Sequence, residues 1–340
     1  MAPPSRRPVP RTCAAAVLGC AALLGGCGGE QSALNPRSEP SRDIATLWWW
    51  MLGAAVVVFA GAVGLIVLAW LARRREGAPL FGRREGFNLG MVVLFGMGIP
   101  SVVLIALFVV ANFVVLPNTE APAASRSAMT IEVTGQQWFW RVRYPENGAV
   151  TANEIHIPVG TRVNVVARTA DVIHSFWIPE LNRKIDMIPG RSNRVLLYAD
   201  KPGRYRGQCA EFCGLQHAHM SMYVFADPPD RFRAWLAAQA KPQTSPATAS
   251  AQRGQQLFMD NQCASCHTIQ GTPAAGQVGP DLTHVASRTT LAALTIPNDP
   301  AHLEAWIRNP QLIKPGNRMP SFLLDKADTR AVVDYLRGLR

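Results

Sequence analysis

Hydrophobic and polar positions follow three successive rhythms along this chain. No charged residue stands between Asp43 and Arg73, nor between Glu85 and Glu120. Each of these runs is longer than the ~20 apolar residues a helix needs to cross a bilayer. Trp48, Trp49, Trp50 and Trp70 sit near the ends of the first run, where amphipathic rings settle at a membrane–water boundary. Pro100 falls inside the second run and predicts a kink, which a membrane helix tolerates. From about residue 129 the rhythm shortens to alternating runs at Met129–Val133, Trp138–Tyr144, Arg162–Ala167, Arg194–Tyr198 and Met220–Phe225. Asn147-Gly148, Pro189-Gly190 and Pro202-Gly203 punctuate them. Short strands at this spacing predict a β-sandwich or barrel, closed by a helix over Phe232–Gln239. The stretch around 241–252 is small, polar and aperiodic, as a linker is. A flexible chain of that length reaches roughly 20–25 Å. It would tether the last ~90 residues at an effective concentration on the order of millimolar. A helical period returns at Ala251–Asn261 and at Asp325–Leu339, where Val332, Tyr335, Leu336 and Leu339 share an apolar face.

The 340 residues suffice for more than one domain. Charged residues make up 17%, below the usual quarter or so, yet mean hydropathy is only +0.06. A bundle of many spans is therefore excluded. The net charge of +11 invites a nucleic-acid partner, but its distribution removes that reading. Arg6, Arg7 and Arg11 precede the apolar stretch Ala14–Leu24 and a run of small residues, which together read as an export signal over 1–26. Arg73, Arg74, Arg75, Arg83 and Arg84 fill the connector between the two uncharged runs. By the positive-inside rule that connector is cytoplasmic, and everything after residue 117 faces outward. Export signal and arginine loop give the same topology independently. Leu24-Gly25-Gly26-Cys27 resembles a bacterial lipobox, which implies Cys27 as a lipidated mature N-terminus. Val17-Leu18-Gly19-Cys20 is a weaker match, and an ordinary signal with incidental cysteines is the plain alternative. The seven cysteines fall into one loose trio and two tight pairs, unlike a disulfide framework.

The first pair carries chemistry. Cys209-Ala-Glu211-Phe-Cys213-Gly-Leu-Gln-His217-Ala-His219-Met220 packs two thiols, imidazole and a thioether into one loop. Soft sulfur with imidazole selects copper, sometimes zinc. One cysteine, two histidines and an axial methionine would suggest a mononuclear site. A second cysteine allows two thiolates to bridge two coppers. His174, in Asp171-Val-Ile-His174-Ser-Phe-Trp, supplies the further imidazole if a cupredoxin sandwich brings its strand end beside the loop. A Cys209–Cys213 disulfide is the bland alternative. His156 and His219 are expected to be structural or at the surface, and Met222 to lie in the core.

These segments resemble subunit II of the haem–copper cytochrome c oxidases. The resemblance rests on Gln136-Gln137-Trp138-Phe139-Trp140, Asp171–Pro179, Asp186–Arg191 and Cys209–Met220, and with the two spans it covers 44–240. It implies a binuclear CuA centre held by His174, Cys209, Cys213, His217, Met220 and the Glu211 carbonyl. It implies Trp138 as the residue through which electrons come in, and the Glu211 side chain on a magnesium ion at the border with subunit I. The family's proton-channel glutamate has no match, since Val93 occupies that register.

The second pair stands in Cys263-Ala-Ser-Cys266-His267, the c-type haem attachment signature. Two thiols bond the vinyl groups and the histidine binds iron. Met319, the only methionine downstream, is the expected sixth ligand, with His284 and His302 as rivals. Residues 253–340 also resemble small class I cytochromes c, whose ligand methionine commonly precedes proline, as Met319 precedes Pro320. Gly279-Pro280-Asp281-Leu282 matches that family's haem crevice.

The expected architecture is a multidomain membrane protein. An external segment spans 27–43, a two-helix transmembrane hairpin 44–117, an all-β cupredoxin-like CuA sandwich 118–240, a linker 241–252 and an all-α cytochrome c domain 253–340. The expected function is that of a caa3-type subunit II, with covalent haem c passing electrons through CuA to the haem a and oxygen site of subunit I. Subunit III, membrane lipid and an upstream donor such as cytochrome c complete the expected partners. The expected location is the bacterial inner membrane, with both domains on the periplasmic face. Alternatives are the CuA subunit of a nitric oxide reductase and a stand-alone copper lipoprotein.

Overall fold

The computed structural model describes residues 29–72, 85–121 and 129–340. Cys13, Cys20, Cys27 and the arginines of the connector lie outside the described residues.

The two uncharged runs are helices, α1 (Glu39–Ala72) and α2, continuous from Glu85 to Thr119. Both are long and apolar enough to cross a membrane, and little of either is covered by the rest of the chain. α1 starts earlier than residue 44 because a local cap launches it in polar sequence. Ser38 Oγ accepts the Ser41 N–H, and Ser41 Oγ accepts the Ser38 N–H, each at 3.1 Å. Such reciprocal capping satisfies orphan donors of the first turn. Ser38 also donates to the Leu181 carbonyl, and the Arg37 N–H reaches the Glu180 carbonyl at 2.8 Å. The first span is thus hydrogen-bonded to the external sandwich. Pro100 has no N–H for the carbonyl one turn back. The helix absorbs that loss in a π-helical segment, Leu94–Gly98, where the Ile99 N–H reaches the Leu94 carbonyl.

Ten strands come next: β1 (Met129–Gln136), β2 (Phe139–Arg143), β3 (Val150–Ala152), β4 (Glu154–Pro158), β5 (Val163–Thr169), β6 (His174–Trp177), β7 (Ile185–Met187), β8 (Asn193–Leu197), β9 (Gly203–Cys209) and β10 (Ser221–Asp227). They form two five-stranded sheets, ordered β3-β2-β1-β5-β8 and β4-β10-β9-β6-β7. The alternation in β1 puts Met129, Ile131 and Val133 inside, against Trp140, Phe176, Met222 and Val224 of the core. This is a cupredoxin-like sandwich, closed by α3 (Pro229–Gln239).

The last domain is helical. α4 (Ala249–Asp260) crosses α8 (Lys326–Gly338), the four-residue α5 (Cys263–Cys266) comes after α4, and α6 (Pro300–Arg308) and α7 (Pro310–Ile313) lie between. The two long helices meet at Gly254, where an added Cβ would lie 1.9 Å from the Ala331 carbonyl oxygen. Phe258 packs edge-on against Tyr335 with ring centroids 5.9 Å apart. A short hairpin, β11 (Thr290–Leu291) with β12 (Ile296–Pro297), projects from this domain.

The expected linker 241–252 is shorter and less free than its composition implies. Thr248 Oγ1 accepts the Ala251 N–H at 3.2 Å, so α4 begins within that stretch. Upstream, the Gln243 N–H reaches the Gln270 carbonyl at 2.9 Å and its amide reaches the Thr283 carbonyl at 2.6 Å. His284 Nε2 lies 3.0 Å from the Lys241 carbonyl oxygen. Backbone groups rather than side-chain pattern fasten the segment, which is why periodicity did not reveal it.

Candidate metal and haem sites

β9 ends at Cys209, a loop carries Glu211 and Cys213, and a 3₁₀ turn (His217–His219) leads through Met220 into β10. Pairing of Phe176 with Cys209 brings β6, and with it His174, beside the loop. Cys209 Sγ lies 3.8 Å from Cys213 Sγ and 3.8 Å from His174 Nδ1. It lies 3.1 Å from the Glu211 carbonyl oxygen. Cys213 Sγ lies 3.7 Å from His217 Nδ1 and 3.8 Å from Met220 Sδ. All six residues singled out in the sequence therefore meet in one cluster. The ligand atoms of His174, Cys209 and Cys213 lie within 4.8 Å of one another, and all three residues are buried.

The supporting contacts orient these donors. His174 Nε2 is 2.9 Å from Asp171 Oδ1, which turns Nδ1 toward the thiols. Gly135 closes the space behind the ring, since a Cβ there would lie 2.8 Å from His174 Cδ2. Burial would raise the Asp171 carboxyl, but the Gln137 N–H and the His174 ring outweigh it and hold it below the usual range. The hydrogen bond from Cys213 favours the thiolate at Cys209, while Cys213 is pushed up by the same contact. Two buried sulfurs so close cannot both ionise without a cation between them. A soft metal supplies that cation. His219 binds Gln216 Oε1 at 2.7 Å instead, and His156 binds Asp227 at 2.8 Å.

In the helical domain Cys263, Cys266, His267 and Met319 line one cavity of about 220 Å³. His267 Nδ1 donates to the Pro280 carbonyl at 2.7 Å, leaving Nε2 as the free ligand atom. Burial holds His267 below its usual pKa, in the neutral form that binds iron. Gly279 packs on that ring, where a Cβ would lie 2.4 Å from His267 Cε1. Gln311 positions the other ligand loop, its amide donating to the carbonyls of Met319 at 2.8 Å and Asn317 at 2.9 Å. Arg288 is buried on the cavity wall, and among the described residues its Nε has no partner. His284 is held by the Lys241 carbonyl, and His302 by Asp299 at 2.7 Å.

Trp138 belongs to both sites. Its indole N–H donates to the Cys213 carbonyl at 3.0 Å, and it also lines the haem-domain cavity. Sequence reasoning missed Lys314, which is 2% exposed between the domains. Burial brings its amine down to about 7. Nothing local marked it, since its surroundings come from three separate segments.

Residues 147–226 match the family model described as cytochrome C oxidase subunit II, periplasmic domain, and residues 251–340 match that of cytochrome c. Cytochrome c oxidase subunit 2 of Alkalihalophilus pseudofirmus is 33% identical over 326 residues, 94% of each chain. The chain belongs to the cytochrome c oxidase subunit II family. The subunit 2 of Bacillus subtilis is 27% identical over 340 residues, again covering 94% of each. Among solved structures, the periplasmic domain of subunit II of cytochrome oxidase from Bradyrhizobium japonicum is 34% identical over 34% of this chain and 94% of that one, with a TM-score of 0.33. As a member of the oxidase subunit II family, the chain combines a CuA-like copper site with a cytochrome c haem domain. Two apolar helices anchor it, with the copper domain periplasmic.

Proposed function

We propose that this chain accepts electrons at a covalent haem c and passes them through a binuclear CuA centre to the oxygen-reducing subunit of a respiratory oxidase. The observation that carries the proposal is Trp138, which hydrogen-bonds to the thiolate loop and lines the haem cavity at once. His174, Cys209, Cys213, His217, Met220 and the Glu211 carbonyl would hold the copper pair. Two bridging thiolates and two nitrogen donors fit such a pair, and the set contains no spare ligand. Cys263 and Cys266 would hold the haem, His267 and Met319 its iron, and Arg288 a haem carboxylate. The bound groups supply one-electron chemistry at potentials set by these donors.

The chain's own residues do the rest. Asp171 fixes the His174 ring, and the two sulfurs sit in the buried sandwich core, which would hold the ligand positions steady. The Glu211 side chain is available to a magnesium ion at the border with subunit I. Oxygen rather than nitric oxide is the acceptor in this reading, in keeping with the relatives' name. The layout of 118–240 as copper domain and 253–340 as haem domain belongs to the same reading. So do the export signal over 1–26, lipidation at Cys27, the inner-membrane location and subunits I and III as partners.

Replacing one bridging thiolate tests it. Cys213→Ser in the assembled oxidase is expected to abolish the near-infrared copper band and oxygen uptake while leaving the haem α-band intact. Uptake from reduced cytochrome c at the parental rate would refute it.

A further inference from the structure

The two external domains touch through buried polar contacts rather than through a loose tether. Lys314 Nζ, on the haem domain, donates to the carbonyls of Trp138 at 2.8 Å and His219 at 2.7 Å, both on the copper domain. A third bond, at 2.9 Å, goes to the Ala292 carbonyl of its own domain. Around it, the Gln216 amide donates to the Pro315 carbonyl at 2.7 Å. Gly316, at φ +78°, lies so close that a Cβ would be 2.8 Å from Leu215. On the other side, buried Glu154 accepts both the Thr289 N–H at 2.7 Å and its hydroxyl at 2.5 Å. Ala292, Ala293 and Leu294 all have positive φ, of 53°, 59° and 68°. Non-glycine residues hold that conformation only where surroundings impose it, and such strain gathers at functional contacts.

From these contacts we infer that Lys314 is a positioning residue that clips the haem domain onto the copper loop in the electron-transferring pose. It fastens three things at once: the backbone of Trp138, the turn after the Cys213–His217 loop, and the positive-φ turn at Ala292 of its own domain. The clip rests on the proposed function, because it matters only if electrons cross between these domains. Nothing changes at Lys314 during transfer: the haem iron loses one electron, the copper pair gains it, and no bond forms or breaks. A pair held in one pose reacts at its full rate, whereas a pair that samples many reacts only for the fraction of time it is competent.

The experiment uses the full-length chain in its oxidase. Lys314→Met keeps most of the side-chain volume but removes the donor. Glu154→Leu, across the interface, removes the acceptor of the Thr289 N–H and hydroxyl and is the second variant. Three readouts are taken: haem-to-copper transfer after flash reduction, the dipolar EPR distance distribution between oxidised haem and oxidised CuA, and hydrogen exchange of segments 217–222 and 289–294. The parental chain is expected to give one narrow distance. Loss of the clip should slow transfer about tenfold or more, because three carbonyls lose their donor and the docked fraction falls. The distance distribution should broaden and exchange in both segments should rise, with haem and copper bands unchanged. A broad distribution in the parental chain would overturn the inference. So would Lys314→Met with parental transfer, distance and exchange. If Lys314→Met fails to assemble, Glu154→Leu is held to the same outcomes. A chain that lacks either the copper or the haem spectrum would instead contradict the proposed function.

Discussion

His156 lies between aromatic rings, 3.9 Å from the centroid of Trp235 and 4.7 Å from that of Phe225. Its Nδ1 meets Asp227 of the neighbouring strand at 2.8 Å, so this contact ties β4 to β10, while the Trp235 ring joins α3 to the sandwich. The His156 hydrogen bond holds the Asp227 carboxyl below its ordinary value of 3.8. A depressed folded-state pKa stabilises the fold above the unfolded value and ceases to do so as pH falls through the folded one. Asp227→Asn is therefore expected to lower the thermal midpoint at neutral pH and to flatten its decline below about pH 4, measured by unfolding at a series of pH values. At this scale the ligands were legible, because two cysteines, imidazole and methionine in one loop have few other uses. Asp171 and Lys314 were not. For Asp171 the neighbour was in view but the turn that aims its carboxylate at the His174 ring was not, and for Lys314 the three carbonyls come from distant segments.

Elements were legible in kind and less so at their ends. The uncharged runs became helices and the alternating runs became strands, since burial enforces those periods. The start of α1 was hidden because the Ser38–Ser41 cap, not hydrophobicity, sets it. The tethering stretch was hidden because Gln243 is fixed by backbone partners. The α4–α8 crossing carries the helical domain, and Gly254 is its point of closest approach. A methyl group there must push the backbone of α8 away. Gly254→Ala should cost about 1–3 kcal/mol despite the better helix propensity of alanine. Thermal unfolding of the holoprotein, followed at the haem α-band, checks it; an unchanged or raised midpoint would contradict the packing described.

Over the whole molecule, the parts form a path rather than a string of domains. The capped start of α1 fixes the copper domain to its anchor, Trp138 joins copper loop to haem cavity, and Lys314 holds the two domains together. The sequence announces two redox centres and an anchor, but not their contact, since an interface between domains has no period to read. The proposed function requires electrons to travel from the haem to the copper pair within this chain. Flash reduction of the haem in the assembled oxidase, with the α-band and the near-infrared copper band recorded together, tests it most directly. The haem band should decay at the rate at which the copper band changes. Haem reoxidation with no change in the copper band would contradict it.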